Sequence, residues 1–252
     1  MGFLKSFRDW NVRLSHATTP DSLWQNRGFA KYDLIARAEL GRPDVQNVAD
    51  VGGGRTWPFA EAYHGKPGFH LTGVDISADE LELNPLLHRA VTADICKTMG
   101  VDDGTLDLIL SRATVEHLHD TSGFLKGAYA ALRPGGRIVL MFASKWAIST
   151  LLNRVMTEGM AKRILYALVP NSRGYQGFKA YYDKCGHGEF REAAKAVGFR
   201  IETDYGSYYA SSYFQFFWPL HCLSIAHDML RMMISWKALN SINLFVLEKP
   251  TA

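Results

Sequence analysis

The stretch Asn47-Val48-Ala49-Asp50-Val51-Gly52-Gly53-Gly54, followed later by Leu71-Thr72-Gly73-Val74-Asp75, constrains the fold more than any other part of the chain. Each half is a short apolar strand; the first runs into three glycines and the second ends on a carboxylate. Glycine lets backbone approach a ligand closely, and a carboxylate at the end of the next strand can accept both hydrogen bonds of a ribose diol. The pattern predicts a βαβ unit with a nucleotide site at its strand ends.

Strand and helix periods alternate beyond it. Residues 1 to about 44 carry Trp10, Trp24, Phe29, Tyr32, Leu34, Ile35 and Leu40 at helical intervals and stop at Gly41-Arg42-Pro43, which predicts an N-terminal helical cap. The domain from 45 to 252 then holds strands at 47–51 and 69–74, a helix near 56–65, and a short strand delivering Asp94. Leu106 to Ser111 is a compact apolar run of the type buried in a parallel sheet. A helix over 121–132 is expected to end at the breaker Arg133-Pro134-Gly135-Gly136 before a strand from Arg137 to Phe142. A helix at 188–197, a strand at 199–203 and a last strand at 243–249 complete a doubly wound, seven-stranded, mostly parallel α/β sheet with flanking helices. Two connections, 144–184 and 205–237, exceed ordinary loops and are expected to carry helices that build a substrate chamber.

Composition removes several classes of function. At 252 residues and 47% hydrophobic the chain can bury a sizeable core. A net charge of +3, with no arginine-rich stripe, gives no footprint for a nucleic-acid partner. Cys96, Cys185 and Cys222 form no CxxC pair, and no His, Asp or Glu grouping has metal spacing, so no metal is expected. The start lacks a long apolar core before Asp9 and does not read as a secretory signal; a cytoplasmic location is expected, with peripheral membrane contact left open.

The glycine turn narrows the cofactor. A dinucleotide fingerprint wants glycine where Trp57 stands, and no Gly-Lys-Ser/Thr is present to cradle phosphates. Together with Val74-Asp75-Ile76-Ser77, Ala93-Asp94-Ile95, Ser111-Arg112-Ala113-Thr114-Val115-Glu116-His117 and Leu132-Arg133-Pro134-Gly135-Gly136, the turn resembles the class I S-adenosylmethionine-dependent methyltransferases, in their type 11 branch, over residues 45 to 142. The family's third glycine is Thr56 here, which could instead cap a following helix. The resemblance implies S-adenosylmethionine as cofactor. Gly52, Gly53 and Gly54 would lie against its methionine portion, Asp50 would orient the ammonium, and Asp75, with Ile76 beside it, would grip the ribose. Asp94 would face the adenine amino group, Ile95 would cover the base, and Ser111 and Arg112 would line the exposed side.

Methyl transfer from a sulfonium needs an aligned nucleophile and, for a hydroxyl or protonated amine, a base. His117 is the first candidate because it follows the fourth core strand by a short turn; Glu116 and His119 are its neighbours. Tyr181 to His187 reads either as a polar rim over the acceptor or as a plain loop. Residues 205–227 contain no Asp, Glu, Lys or Arg. From Pro219 a helix would place Ser224, Asp228, Arg231 and Ser235 on one face and Leu220, Leu223, Leu230 and Met233 on another. Three readings stand for this insert: a chamber for a hydrophobic small molecule or lipid, a bilayer contact, or a core or homo-oligomer helix. A non-catalytic cofactor-binding or assembly protein and, more distantly, an NAD-dependent oxidoreductase remain the competing functions.

Overall fold

In the computed structural model, described over residues 2–60, 66–148, 150–151 and 179–251, one seven-stranded sheet organises the chain. Its strands are β1 (Asn47–Val51), β2 (His70–Asp75), β3 (Arg89–Thr92), β4 (Leu106–Arg112), β5 (Leu132–Ala143), β6 (Arg200–Ser207) and β7 (Ile242–Glu248). Their order is β3-β2-β1-β4-β5-β7-β6, with β7 antiparallel between β5 and β6 and the remaining neighbours parallel. The order reverses between β1 and β4, and that reversal opens a crevice at the carboxyl ends of the central strands.

The two-residue period of the strands divides the core. Val48, Leu108, Leu110, Leu244 and Val246 point to one face, where helix α3 (Gly28–Leu40) packs through Tyr32, Ala36 and Leu40. Ala49, Val51, Ile109, Phe245 and Leu247 point to the other, against α5 (Thr121–Ala131) and α6 (His187–Val197). Burial on both faces explains the nearly unbroken apolar run of β4. The expected amino-terminal helices form as α1 (Gly2–Thr18), α2 (Asp21–Gln25) and α3; α1 packs on α7 (Trp218–Ile234), and α4 (Ala78–Glu82) follows β2.

Two local expectations are corrected. Residues 56–57 are coil and 58–59 a turn, helical structure begins only at Ala60, and 61–65 lie outside the described residues. Thr56 is therefore no helix cap, and Trp57 is buried by packing on Phe59 and Phe69 instead. The breaker Arg133-Pro134-Gly135-Gly136 does not end in a loop: β5 starts at Leu132 and carries the segment as a bulge, with Leu132 opposite Leu106 and Arg137 opposite Leu108. Pairing on the far edge holds it, since Gly135 N–H donates to the Lys249 carbonyl at 2.8 Å and Lys249 N–H to the Gly136 carbonyl at 2.9 Å.

The 144–184 connection falls mostly outside the described residues. The second, 205–237, carries a 3-10 turn (Ser211–Phe214) and α7. Among the described residues no helix is long and apolar enough to cross a membrane.

Candidate functional site

Two cavities meet at the crevice. The first, about 430 Å³, is formed at the ends of β1 to β4 by Gly52, Asp75, Ile76, Asp94, Ile95, Thr114 and His117 among others. The second, about 710 Å³, lies under α1 to α3 and the 205–237 insert, with Trp24, Phe29, Asp33, Glu116, Phe142, Tyr209 and Tyr213 in its wall. Among the described residues Ala113 alone belongs to both linings. Its backbone is left-handed, φ 58°, and its N–H is tied to the Met141 carbonyl at 2.7 Å.

The glycines are required by space. Gly52 has φ 70° and donates its N–H to the Val74 carbonyl at 2.8 Å; a Cβ there would overlap the Thr114 hydroxyl and methyl. A Cβ on Gly53 would collide with Asp50 Oδ2, so the turn folds directly over that carboxylate. Asp50 is buried at the end of β1, and burial pushes its carboxyl up to about 7; the Arg112 guanidinium opposes this and the Asp75 charge adds to it.

Asp75 closes β2 and accepts the Ser77 N–H at 2.9 Å; partial burial raises its carboxyl. Asp94 takes the Cys96 N–H at 3.1 Å and pairs with Lys97 at 3.1 Å, the lysine holding it below the ordinary carboxylate range. Ile95 is buried against the core, and Ile76 is exposed at the cavity edge. The structure thus brings Gly52, Asp75, Ile76, Asp94 and Ile95 to one cavity, with Asp50 at the end of β1 and Gly53 and Gly54 in the turn that follows.

Ser111 and Arg112 lie elsewhere. Ser111 is fully buried and donates to the Val51 carbonyl at 3.0 Å, fastening β4 to β1, and it lines neither cavity. Arg112 reaches Asp33 on α3 at 3.5 Å. The next two residues, Ala113 and Thr114, hold the cavity wall instead. Side chains alternate along β4 and the left-handed turn at Ala113 shifts the phase, which the residue order alone does not reveal.

His117 lies in the short turn Val115–His117 and lines the first cavity, its Nδ1 3.2 Å from the Lys179 carbonyl. Glu116 lines the second cavity instead, with its side chain buried. Its Oε1 accepts the Ala143 N–H at 3.4 Å, its Oε2 has no hydrogen-bond partner among the described residues, and burial raises its carboxyl. Residue order ranks Glu116 behind His117; a 3-10 turn has no helical face from which to read side-chain direction. The Tyr181 to His187 segment follows the loop reading up to His187, which opens α6: Tyr181 and Tyr182 N–H groups anchor it on the Glu116 carbonyl, and Tyr181 lines the first cavity, not the second. Cys185 is buried in the core with its thiol pushed well up by burial, which leaves it inert. Asp94, Cys96 and His119 come within 4.8 Å of one another, a grouping that sequence spacing hides.

A family model described as a methyltransferase domain matches residues 49–140. Phosphoethanolamine N-methyltransferase 1 of Zea mays is 32% identical over 107 residues, 38% of this chain and 20% of that protein. The malonyl-[acyl-carrier protein] O-methyltransferase of Hahella chejuensis is 28% identical over 51% of this chain and 48% of its own length. The chain therefore spans between 20% and 48% of the length of these curated relatives. Among solved structures, geranyl diphosphate C-methyltransferase from Streptomyces coelicolor superposes with a TM-score of 0.54 at 15% identity over 87% of this chain and 78% of its own. The [4+2]-cyclase SpnF gives 0.55 at 16% over 88% and 82%. Identities this low speak for a shared fold.

Proposed function

With the methyltransferase domain at residues 49–140 and the seven-stranded sheet around it, the chain belongs to the class I S-adenosylmethionine-dependent methyltransferases, and on that premise we propose that it methylates a hydrophobic small molecule or lipid held in the second cavity. The observation that carries this reading is that, among the described residues, Ala113 alone is shared by the cavity at the strand ends and an aromatic chamber. When bound, S-adenosylmethionine supplies an electrophilic methyl for direct displacement.

The residues fit that group. Side chains at Gly52 or Gly53 would fill the space the turn keeps open, and the buried Asp50 carboxyl, with Gly53 folded over it, suits a ligand ammonium that would hold it ionised. Asp75 would accept from the ribose diol, Asp94 would receive the adenine amino group, and Ile76 and Ile95 would cover the base. Trp24, Phe29, Tyr209 and Tyr213 would exclude water from an apolar acceptor and hold it in line.

Glu116 is the residue we assign as base. It lines the acceptor side, its buried Oε2 has no hydrogen-bond partner among the described residues, and burial raises its carboxyl, which makes it a stronger base than an exposed glutamate. His117, the other candidate, lines the cofactor side. Isothermal calorimetry with S-adenosylmethionine and its demethylated product, followed by a panel of apolar hydroxyl, amine and carbon acceptors, tests the proposal. Glu116→Gln should lower kcat and remove an ionisation from the pH profile while cofactor affinity holds. A profile moved instead by His117→Asn would return the base role to His117. Cofactor binding without transfer to any acceptor would favour the non-catalytic alternative, and binding of NADH in its place would end the reading.

A further inference from the structure

Helix α7 is built inside out. His221, Ser224, Asp228 and Arg231 enter the protein with Ile225, whereas Leu223 is 69% exposed, Leu230 57% and Met233 79%. At 100° per residue the exposed stripe lies opposite the buried one, so the ordinary arrangement of a surface helix is reversed. Among the buried polar groups, His221, Asp228 and Arg231 are engaged. Asp228 accepts the Ala210 N–H at 2.7 Å and the Arg231 guanidinium at 2.5 Å, and Arg231 donates to the Tyr208 and Leu239 carbonyls at 2.7 and 2.6 Å. These bonds fix the rotation of the helix and keep its apolar stripe outward.

Helix α1 is held against it by polar contacts as well. Trp218 N–H donates to Asn11 Oδ1 at 2.7 Å, and His221 Nε2 lies 3.1 Å from the Ser15 carbonyl. Phe7 and Trp10, which share a face at i and i+3, are left exposed, and Lys5 and Arg13 are exposed on the same helix. Between Asp204 and Glu248 the sequence has a single acidic residue, Asp228, and it is fully buried.

We propose that α7 and α1 form a docking surface for an anionic lipid bilayer, with the apolar stripe of α7 sunk to headgroup depth and Lys5 and Arg13 meeting the lipid charge. Charge selects this occupant. A surface with no exposed carboxylate along α7 and an excess of basic side chains on α1, where Lys5, Arg8 and Arg13 stand against Asp9, complements anionic headgroups, while a second copy of the same chain would set these cations against one another. Exposed Trp10 and Trp236 supply amphipathic rings of the type that settle at a membrane interface. At 17 residues α7 lies in the plane of the surface and does not cross it. The inference does not depend on the acceptor's identity.

Flotation of the full chain with vesicles of phosphatidylcholine, alone or mixed with phosphatidylglycerol, tests it. The protein should float with the mixed vesicles, shift its tryptophan emission to the blue, and release as salt rises. Leu223→Glu with Met233→Glu should weaken partitioning at least about tenfold with an unchanged circular-dichroism melt, since each buried leucine or methionine side chain contributes more than that factor. Leu83→Glu, at a leucine 58% exposed away from α7 and α1, should not. Lys5→Glu with Arg13→Glu provides a route that leaves α7 untouched and should also weaken binding to the mixed vesicles. No flotation with either vesicle would overturn the proposal. So would a dimer in light scattering that the α7 substitutions split, in a protein that ignores vesicles.

Discussion

Replacing Asp50 by asparagine should make the ligand-free protein more stable and worse at holding its cofactor. The Asp50 carboxyl is raised from 3.8 to about 7 by burial at the end of β1. An acid whose pKa is higher in the fold than in the open chain binds the proton more tightly when folded, so stability falls as pH rises through that interval. The loss begins near pH 4 and is complete above about pH 7. At about 1.4 kcal/mol per pH unit of separation, ionising Asp50 costs the ligand-free fold about 4 kcal/mol. The asparagine side chain cannot ionise, so the gap between variant and parent should open with pH. For a chain of this length it should reach about 8–16 °C in melting temperature at about pH 8. Calorimetric affinity for S-adenosylmethionine should fall about 10- to 100-fold in the variant, the worth of a hydrogen bond to a charged group. Circular-dichroism melts from about pH 4.5 to about pH 8 provide the check. Parallel curves for the two proteins, or a parent more stable than the variant at the alkaline end, would refute the argument that Asp50 is held in an unfavourable ionised state awaiting a cation.

Gly53→Ala should remove cofactor binding in calorimetry, because its methyl would have to displace the Asp50 carboxylate from the space it occupies. Asp228→Ala should cost about 3–5 kcal/mol in denaturant unfolding, since Arg231 would remain buried without its partner; a loss under about 1 kcal/mol would show that solvent reaches the guanidinium. Ser111→Ala should lower stability by about 1 kcal/mol through its lost bond to Val51 and leave cofactor affinity unchanged, and a tenfold drop in that affinity would place Ser111 on the ligand.

The sheet was legible because strands buried on both faces must be short, apolar and punctuated, and β1, β2, β4 and the antiparallel β7 satisfy that locally. The β5 bulge was not, because Pro134 and the glycines after it are turn residues by local preference, and only pairing with β4 and β7 keeps them in the sheet. The two faces of α7 were visible as a pattern, but periodicity states that faces differ and not which of them turns inward. What turned the polar face inward is a set of backbone carbonyls, at Tyr208 and Leu239, that no sequence pattern displays. The cofactor half of the site follows from strand ends and glycines. Glu116 and Ala113 owe their positions to a left-handed residue and a single turn of 3-10 helix, which carry no periodic signature.

That two chambers touch, among the described residues, through one alanine separates what each half of the molecule is free to become. The proposed cofactor side is drawn from the ends of the strands and the turns that leave them, where a changed residue disturbs the backbone that the sheet positions. The acceptor side is drawn largely from terminal helices and an insert, whose linings can be exchanged without moving a strand. A bulkier residue at the junction would narrow the passage on both sides at once, so catalysis should tolerate wide variation in the chamber and almost none at its threshold.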